Sequence, residues 1–311
     1  MNRIAIIGAT GAIGRGLIEA AVQHHTEIHV LCREDSNRLT NIPRHPLIYR
    51  WQCSLEEMSR LDESSLPQMD CFFFLAWDGT YGAVARDDMT LQTKNIQYAL
   101  DAVQLAKRLG CHTFVGAGSQ AEYGRVEGIL RADTPCNPEN GYGMAKLCAG
   151  QMTRVLCKSL GIRHGWARFL SVYGPCDNPR SVVSYAIKTC LEGKRPSFTK
   201  GEQLWDYLYS RDAGEALYQI GESGIDGEIY PVGSGCAYPL RTFLETICKT
   251  VNADIKPLFG EIPYMQGQVM HLQADISKLQ ADTGFTPQTA FEDGIRETID
   301  WYRREHNHDD V

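Results

Sequence analysis

The first half of the chain alternates short apolar runs with longer amphipathic stretches. Ile4–Ile7, Glu27–Cys32, Leu47–Trp51, Cys71–Ala76, His112–Gly116 and Trp166–Phe169 have the length and composition of strands. Cys71–Ala76 is apolar at every position, as a strand buried on both faces of a parallel sheet requires. Between the runs, Leu17–Val22 is amphipathic. Met89–Leu109 reads as a long helix ended by Gly110, and a further helix carries Tyr142 and closes near Leu160–Gly161. Ser54 to Glu57 has capping-box spacing and predicts a short helix. The second half predicts helices over Ser181–Leu191, Leu240–Val251 and Phe291–Arg303, with a strand at Glu228–Val232. Leu204–Tyr209 alternates like one strand, and Asp212 is placed to cap a helix through Ile220. The turn-rich stretch Pro175–Pro179 divides the chain into 1–174 and a mainly separate lobe, 175–311, some of whose elements return to the first part.

With 311 residues, 43% of them hydrophobic and 22% charged, the chain has an ordinary globular composition. A net charge of −7 argues against a nucleic-acid partner. Eleven cysteines without a Cys-x-x-Cys pair read as reduced thiols, and nine histidines show no metal-ligand spacing. No metal is expected. The chain opens directly on a strand and has no bilayer-length apolar run, so a cytoplasmic location without membrane contact is expected.

Candidate chemistry lies where the predicted strands end. The turn Gly8-Ala-Thr10-Gly11-Ala12-Ile13-Gly14 separates a strand from a helix. Glycines there let backbone approach a pyrophosphate, and the helix N-terminus offers it unpaired N–H groups. Leu75 and Ala76 close the fourth strand on the same edge. At the end of the second strand, Arg33 could pair with a 2′-phosphate, which predicts a preference for NADP(H). Glu34 or Asp35 on the ribose would instead suit NAD(H). The glycine- and aromatic-rich segment from Trp77 to Asp87, containing Arg86, reads as a substrate loop. Asn95 lies within the next helix. Ser119 and Gln120 follow the fifth strand, with Ser119 placed to hold a substrate oxygen. Tyr142 and Lys146 are four residues apart on one helical face, where an ammonium would stabilise a phenolate for proton transfer. Arg180 and Arg241 are candidate phosphate clamps.

These motifs, in this order, make the chain resemble the nucleotide-sugar epimerase/dehydratase group of the extended short-chain dehydrogenase/reductases. Gly8, Gly11 and Gly14 resemble the group's glycine turn, and Phe114–Gly124 its serine segment. Tyr142-Gly-Met-Ala-Lys146 resembles its active-site helix, and Arg168–Pro175 its Arg-x-x-Asn-Val-Tyr-Gly-Pro stretch. The resemblance implies an α/β Rossmann domain, doubly wound around a parallel sheet, with a smaller C-terminal α/β lobe that binds substrate. It further implies a nicotinamide beside Ser119, Tyr142 and Lys146, Asn95 in a proton relay, and a nucleoside-diphosphate sugar held by the lobe. A homodimer formed through the helices of Asn95 and Lys146 is also implied.

Four departures narrow the expectation. Ser119-Gln120-Ala121 stands where the 4,6-dehydratases carry Thr-Asp-Glu. Ser171 replaces a substrate-contacting asparagine, Trp205 an arginine for the diphosphate, and Cys53 an aspartate near the adenine. The expected activity is an NAD(P)-dependent ketosugar reductase acting at C4. The alternatives are an NAD-retaining 4-epimerase, a non-catalytic dinucleotide sensor, and a dehydrogenase of a non-nucleotide alcohol.

Overall fold

The computed structural model describes residues 1–309. Seven parallel strands form the central sheet: β1 (Arg3–Ile7), β2 (Glu27–Cys32), β3 (Ile48–Gln52), β4 (Cys71–Phe74), β5 (Thr113–Ser119), β7 (Arg163–Phe169) and β12 (Glu228–Val232). Their order is β12-β7-β5-β4-β1-β2-β3. The chain therefore reverses direction across the sheet between β1 and β4, where doubly wound folds open a crevice beyond the strand ends. β4 shows why its sequence has no polar position. Phe72 and Phe74 pack with α3 (Met89–Arg108) and α4 (Gly141–Leu160) on one face. Cys71 and Phe73 pack with α1 (Ala12–Gln23) and α6 (Ser210–Ser223) on the other.

Beyond the sheet, α5 (Val182–Leu191), α7 (Leu240–Val251) and α9 (Phe291–Asp309) pack around Ile187, Leu244, Ile247, Ile295 and Ile299. Short strands complete this lobe. β6 (Gly128–Leu130), β10 (Leu204–Trp205), β13 (Tyr238–Pro239) and β15 (His271–Ala274) share one sheet. β8 (Ser171–Tyr173) pairs with β11 (Tyr207–Tyr209), and β9 (Ser197–Phe198) with β14 (Leu258–Phe259). The remaining helices are α2 (Ala83–Arg86) and α8 (Ser277–Thr283).

Three local expectations are corrected. Leu204–Tyr209 is two strands in different sheets, because Asp206 between them is buried. Its carboxylate accepts from Ser234 N–H, Gly235 N–H and Ala274 N–H at 2.7, 3.1 and 3.0 Å. Asp212 caps no helix start. It lies inside the first turn of α6 and accepts from Gln288 N–H and Thr289 N–H at 3.1 and 2.8 Å, tying down distant chain. Ser54–Glu57 closes one turn, with Glu57 accepting from Ser54 N–H at 2.7 Å, and only a 3-10 turn at Met58–Arg60 follows.

Candidate active site

A cleft of about 1240 Å³ runs along the carboxyl ends of β1, β2, β4 and β5 and continues against the lobe. Its floor is the glycine turn. Gly8 has φ +92°, and a Cβ there would overlap the Ala76 backbone, so the end of β4 closes directly over the turn. Gly14 lies against Gly8 and Ala9, seating α1 on the strand. A Cβ built at Gly11 meets nothing within 4 Å, leaving open space in front of the N-terminus of α1. Close backbone approach, an open cradle and an uncapped helix start are the features a pyrophosphate needs. Thr10, Ala12, Ile13, Leu75 and Ala76 line the same region. Asn41 donates to Thr10 O at 2.8 Å and fixes the turn from outside. Arg33 stands at the rim with its side chain 65% exposed and Nε 3.9 Å from Asp35. Sequence reasoning missed Arg38, a second arginine at this end, which donates to Cys176 O at 2.7 Å and joins the cofactor end to the lobe.

The reacting end is built on β5 and α4. Asn140 caps α4 by accepting from Gly143 N–H at 2.9 Å, which sets Tyr142 and Lys146 in its first turns. Lys146 is buried. Its Nζ donates to Ala117 O at 2.6 Å and sits 3.9 Å from the centroid of the Trp77 ring. Burial pulls Lys146 down to about 7, with Glu122 opposing. Tyr142 meets Trp77 edge to face at 6.2 Å. Burial pushes its phenol up, while a hydrogen bond with Ser119 and the charge of Arg86 pull it down. Desolvation outweighs these contacts; Lys146 Nζ lies 5.9 Å from the centroid of the Tyr142 ring, and Arg86 is closer. Its guanidinium lies 4.7 Å over the Tyr142 ring.

The Lys146 burial penalty has a pH signature. Below pH 7 the group is protonated whether folded or unfolded, so the penalty is fully present. Between about 7 and its ordinary 10.5 the folded protein releases the proton first, and stability from this group rises with pH. Lys146→Met in cofactor-free protein is therefore expected to gain roughly 1–4 kcal/mol at pH 6, after loss of the Ala117 hydrogen bond. The gain should fade towards pH 10. Urea unfolding at several pH values checks this, and a pH-independent effect would mean that Lys146 titrates normally.

Glu122 supports the site from behind and was also missed. It is fully buried and accepts from Ser119 N–H at 2.8 Å, Trp166 Nε1 at 3.0 Å and Arg168 Nε at 2.6 Å. Ser119 to Glu122 forms a capping box, a spacing that could have identified it.

The remaining candidates separate into those that reach the cleft and those that do not. Trp77, Arg86, Gln120, Ser171 and Trp205 line it, with Trp205 Nε1 donating to Ser171 Oγ at 2.8 Å. Arg180 is exposed and does not line the cleft, although its neighbours Pro179 and Ser181 do. Arg241 lies over Phe259 at 4.3 Å and donates to Lys200 O. Asn95 is buried away from the cleft, and its amide grips both sides of Asp78, accepting from N–H at 3.0 Å and donating to O at 2.9 Å. It positions the loop after β4 and touches no reacting group. Asp177, unforeseen, lines the cleft with its carboxyl lifted by burial to about 6, against hydrogen bonds from Ser181 and Asn178 N–H.

Among the described residues no cluster of His, Cys, Asp and Glu could hold a metal ion, and no helix is long and apolar enough to cross a membrane.

Fold and cleft together define an enzyme of the short-chain dehydrogenase/reductase type. The chain belongs to the NAD dependent epimerase/dehydratase family, whose model matches residues 4–233. It is 30% identical over 172 residues to a dTDP-glucose 4,6-dehydratase of Mycolicibacterium smegmatis, covering 55% of this chain and 52% of that one. The chain thus matches about half the length of that relative. It is 26% identical over 266 residues to the dTDP-6-deoxy-L-talose 4-dehydrogenase (NAD(+)) of Aggregatibacter actinomycetemcomitans, covering 84% of this chain and 94% of that one. The fold matches a UDP-N-acetylglucosamine 4-epimerase from Methanobrevibacter ruminantium M1 with TM-score 0.86 and 21% identity, covering 98% and 99% of the two chains.

Proposed function

We propose that this protein is an NADP(H)-preferring oxidoreductase acting on a hydroxyl or ketone, at C4, of a nucleotide-activated sugar, and that it works as a ketosugar reductase. The observation that carries this reading is the pairing of the Ser119 and Tyr142 hydroxyls at the cleft, with Lys146 one turn behind. The dinucleotide, when bound, supplies hydride to the carbonyl carbon. Gly8, Gly11, Gly14 and the start of α1 would hold its pyrophosphate. Ser119 orients the substrate oxygen, and Tyr142 delivers the proton that turns an alkoxide into an alcohol. Lys146 fixes the edge of β5 through Ala117. Dehydration is disfavoured, because Gln120 and Ala121 provide no acid–base pair for removing water.

Arg33 decides between reductase and epimerase. Calorimetric titration of cofactor-free protein is expected to show NADPH binding at least tenfold tighter than NADH, and Arg33→Ala should erase the difference. Equal or tighter NADH binding would instead support a 4-epimerase that retains NAD.

A second reading, a dehydrogenase of a non-nucleotide alcohol, draws on the lobe wall. Between Ser171 and Leu272 the described cleft residues include no Lys or Arg, while Val182, Tyr185, Phe198, Trp205, Tyr207 and Leu244 line it. Binding of UDP alone to cofactor-loaded protein separates the two readings.

A further inference from the structure

Among the described residues the Arg86 guanidinium makes no hydrogen bond or ion pair, and its one aromatic contact is the face of the Tyr142 ring. It ends α2 in the loop after β4, and that loop is firmly held. Gln92 Nε2 donates to Ala85 O at 2.9 Å, Asn95 grips Asp78, and Asp87 accepts from Gly141 N–H at 3.1 Å. The adjacent acid, Asp88, is engaged as the cap of α3, accepting from Leu91 N–H at 3.0 Å. Both neighbouring carboxylates are thus committed to backbone donors. The Arg86 guanidinium lines the cleft over the Tyr142 ring, with Nε enclosed and making no hydrogen bond. Other cleft cations are accounted for: Arg125 pairs with Glu139 at 2.9 Å, Lys146 donates to Ala117 O, and Arg33 and Arg38 stand at the β2 end. An enclosed donor left unmade is costly, and a guanidinium is shaped to meet a carboxylate with two parallel hydrogen bonds.

We propose that Arg86 binds a carboxylate that the substrate carries beside its reacting carbon, so that the substrate is a hexuronate-type sugar and not a neutral hexose. The inference rests on the reading above that C4 reacts at Tyr142. On a hexuronate the C6 carboxylate hangs from C5, the immediate neighbour of C4, within reach of a cation stacked on the catalytic ring. A diphosphate on the anomeric carbon lies across the sugar ring from C4 and faces the lobe. A merely stacking arginine would contribute packing to Tyr142 but no preference for an acid.

The test measures binding to the cofactor-loaded protein of two matched pairs, UDP-glucuronate against UDP-glucose and galacturonate against galactose. In the wild type the acid of a pair should bind ~10- to 100-fold tighter, the range for a charge-assisted contact. Arg86→Met should abolish the difference, and Arg86→Lys should restore part of it. Equal affinities, no binding of either acid, or a preference that survives Arg86→Met would overturn the proposal. So would a variant that weakens UDP, UDP-glucose and UDP-glucuronate equally, since that places Arg86 on the diphosphate. Galacturonate preferred over galactose, with neither UDP-sugar bound, would remove the nucleotide from the proposed function while leaving Arg86 in its role.

Discussion

Tyr142→Phe is expected to lower turnover by ~10²- to 10⁴-fold, the usual weight of a positioned acid–base group. Affinity for NADPH should change by no more than a few-fold. The phenol is the one proton donor that the α4 turn places beside Ser119, and Ser119 itself keeps the 3.2 Å hydrogen bond it accepts from Ala121 N–H. Phenylalanine preserves the edge-to-face contact with Trp77 and the stacking surface for Arg86, so the fold should tolerate it. Single-turnover oxidation of bound NADPH by a ketosugar measures the effect without interference from product release. The pH profile gives a second readout. Reduction needs the protonated phenol, and burial raises the Tyr142 pKa, so wild-type turnover should hold through neutral pH and fall only on the alkaline side. A variant retaining a tenth or more of wild-type turnover would remove Tyr142 from the chemistry.

Much of this framework is visible in the sequence because it depends on local rules. A glycine turn between a strand and a helix, a strand with no polar residue, and Tyr142 and Lys146 at helical spacing each carry their meaning within a few positions. What stayed hidden depends on contacts across the chain. Asp206 reads as an inward break in an alternating strand only once Ser234, Gly235 and Ala274 are known to converge on it. Asp212 has the sequence of a cap and spends its carboxylate on chain more than seventy residues away. Arg180 and Arg241 are both phosphate candidates in the sequence, and neither lines the cleft. Arg180 is exposed beside its turn, while Arg241, in the first turn of α7, is held over Phe259 and by Lys200 O, contacts with no local signature. Lys146 shows a subtler limit. Spacing places its charge near Tyr142, but whether it is a charge at all at neutral pH depends on burial under Trp77 and β5. Arg86, four residues beyond Gly82, was legible only as part of a loop. Its role follows from what it lacks, and an unmatched donor has no signature in sequence.

The largest stability effect is expected at Glu122, because three donors, one of them a buried cation, depend on a single carboxylate. Burial works against the Arg168 charge; Glu122, followed by Tyr123 and Cys136, outweighs it, holding the guanidinium charged inside the protein. Glu122→Gln keeps the shape but leaves Arg168 without a counter-ion, at a cost of about 3–5 kcal/mol. Urea unfolding should show this as a lower midpoint with little change in slope. The fold alone does not explain why a charge pair belongs here, since an apolar pair of similar volume serves stability as well or better. Glu122→Met combined with Arg168→Met is therefore expected to recover most of the stability lost in Glu122→Gln. Turnover should not recover with it. The Ser119 peptide would still lack the acceptor that holds it at the end of β5, and Lys146 would lose the charge that opposes its desolvation. If the double variant regains turnover along with stability, the pair is only a way of filling the core. If stability returns and turnover stays low, Glu122 acts on catalysis through Ser119 and Lys146, and the ion pair is what allows a carboxylate to be buried beneath them.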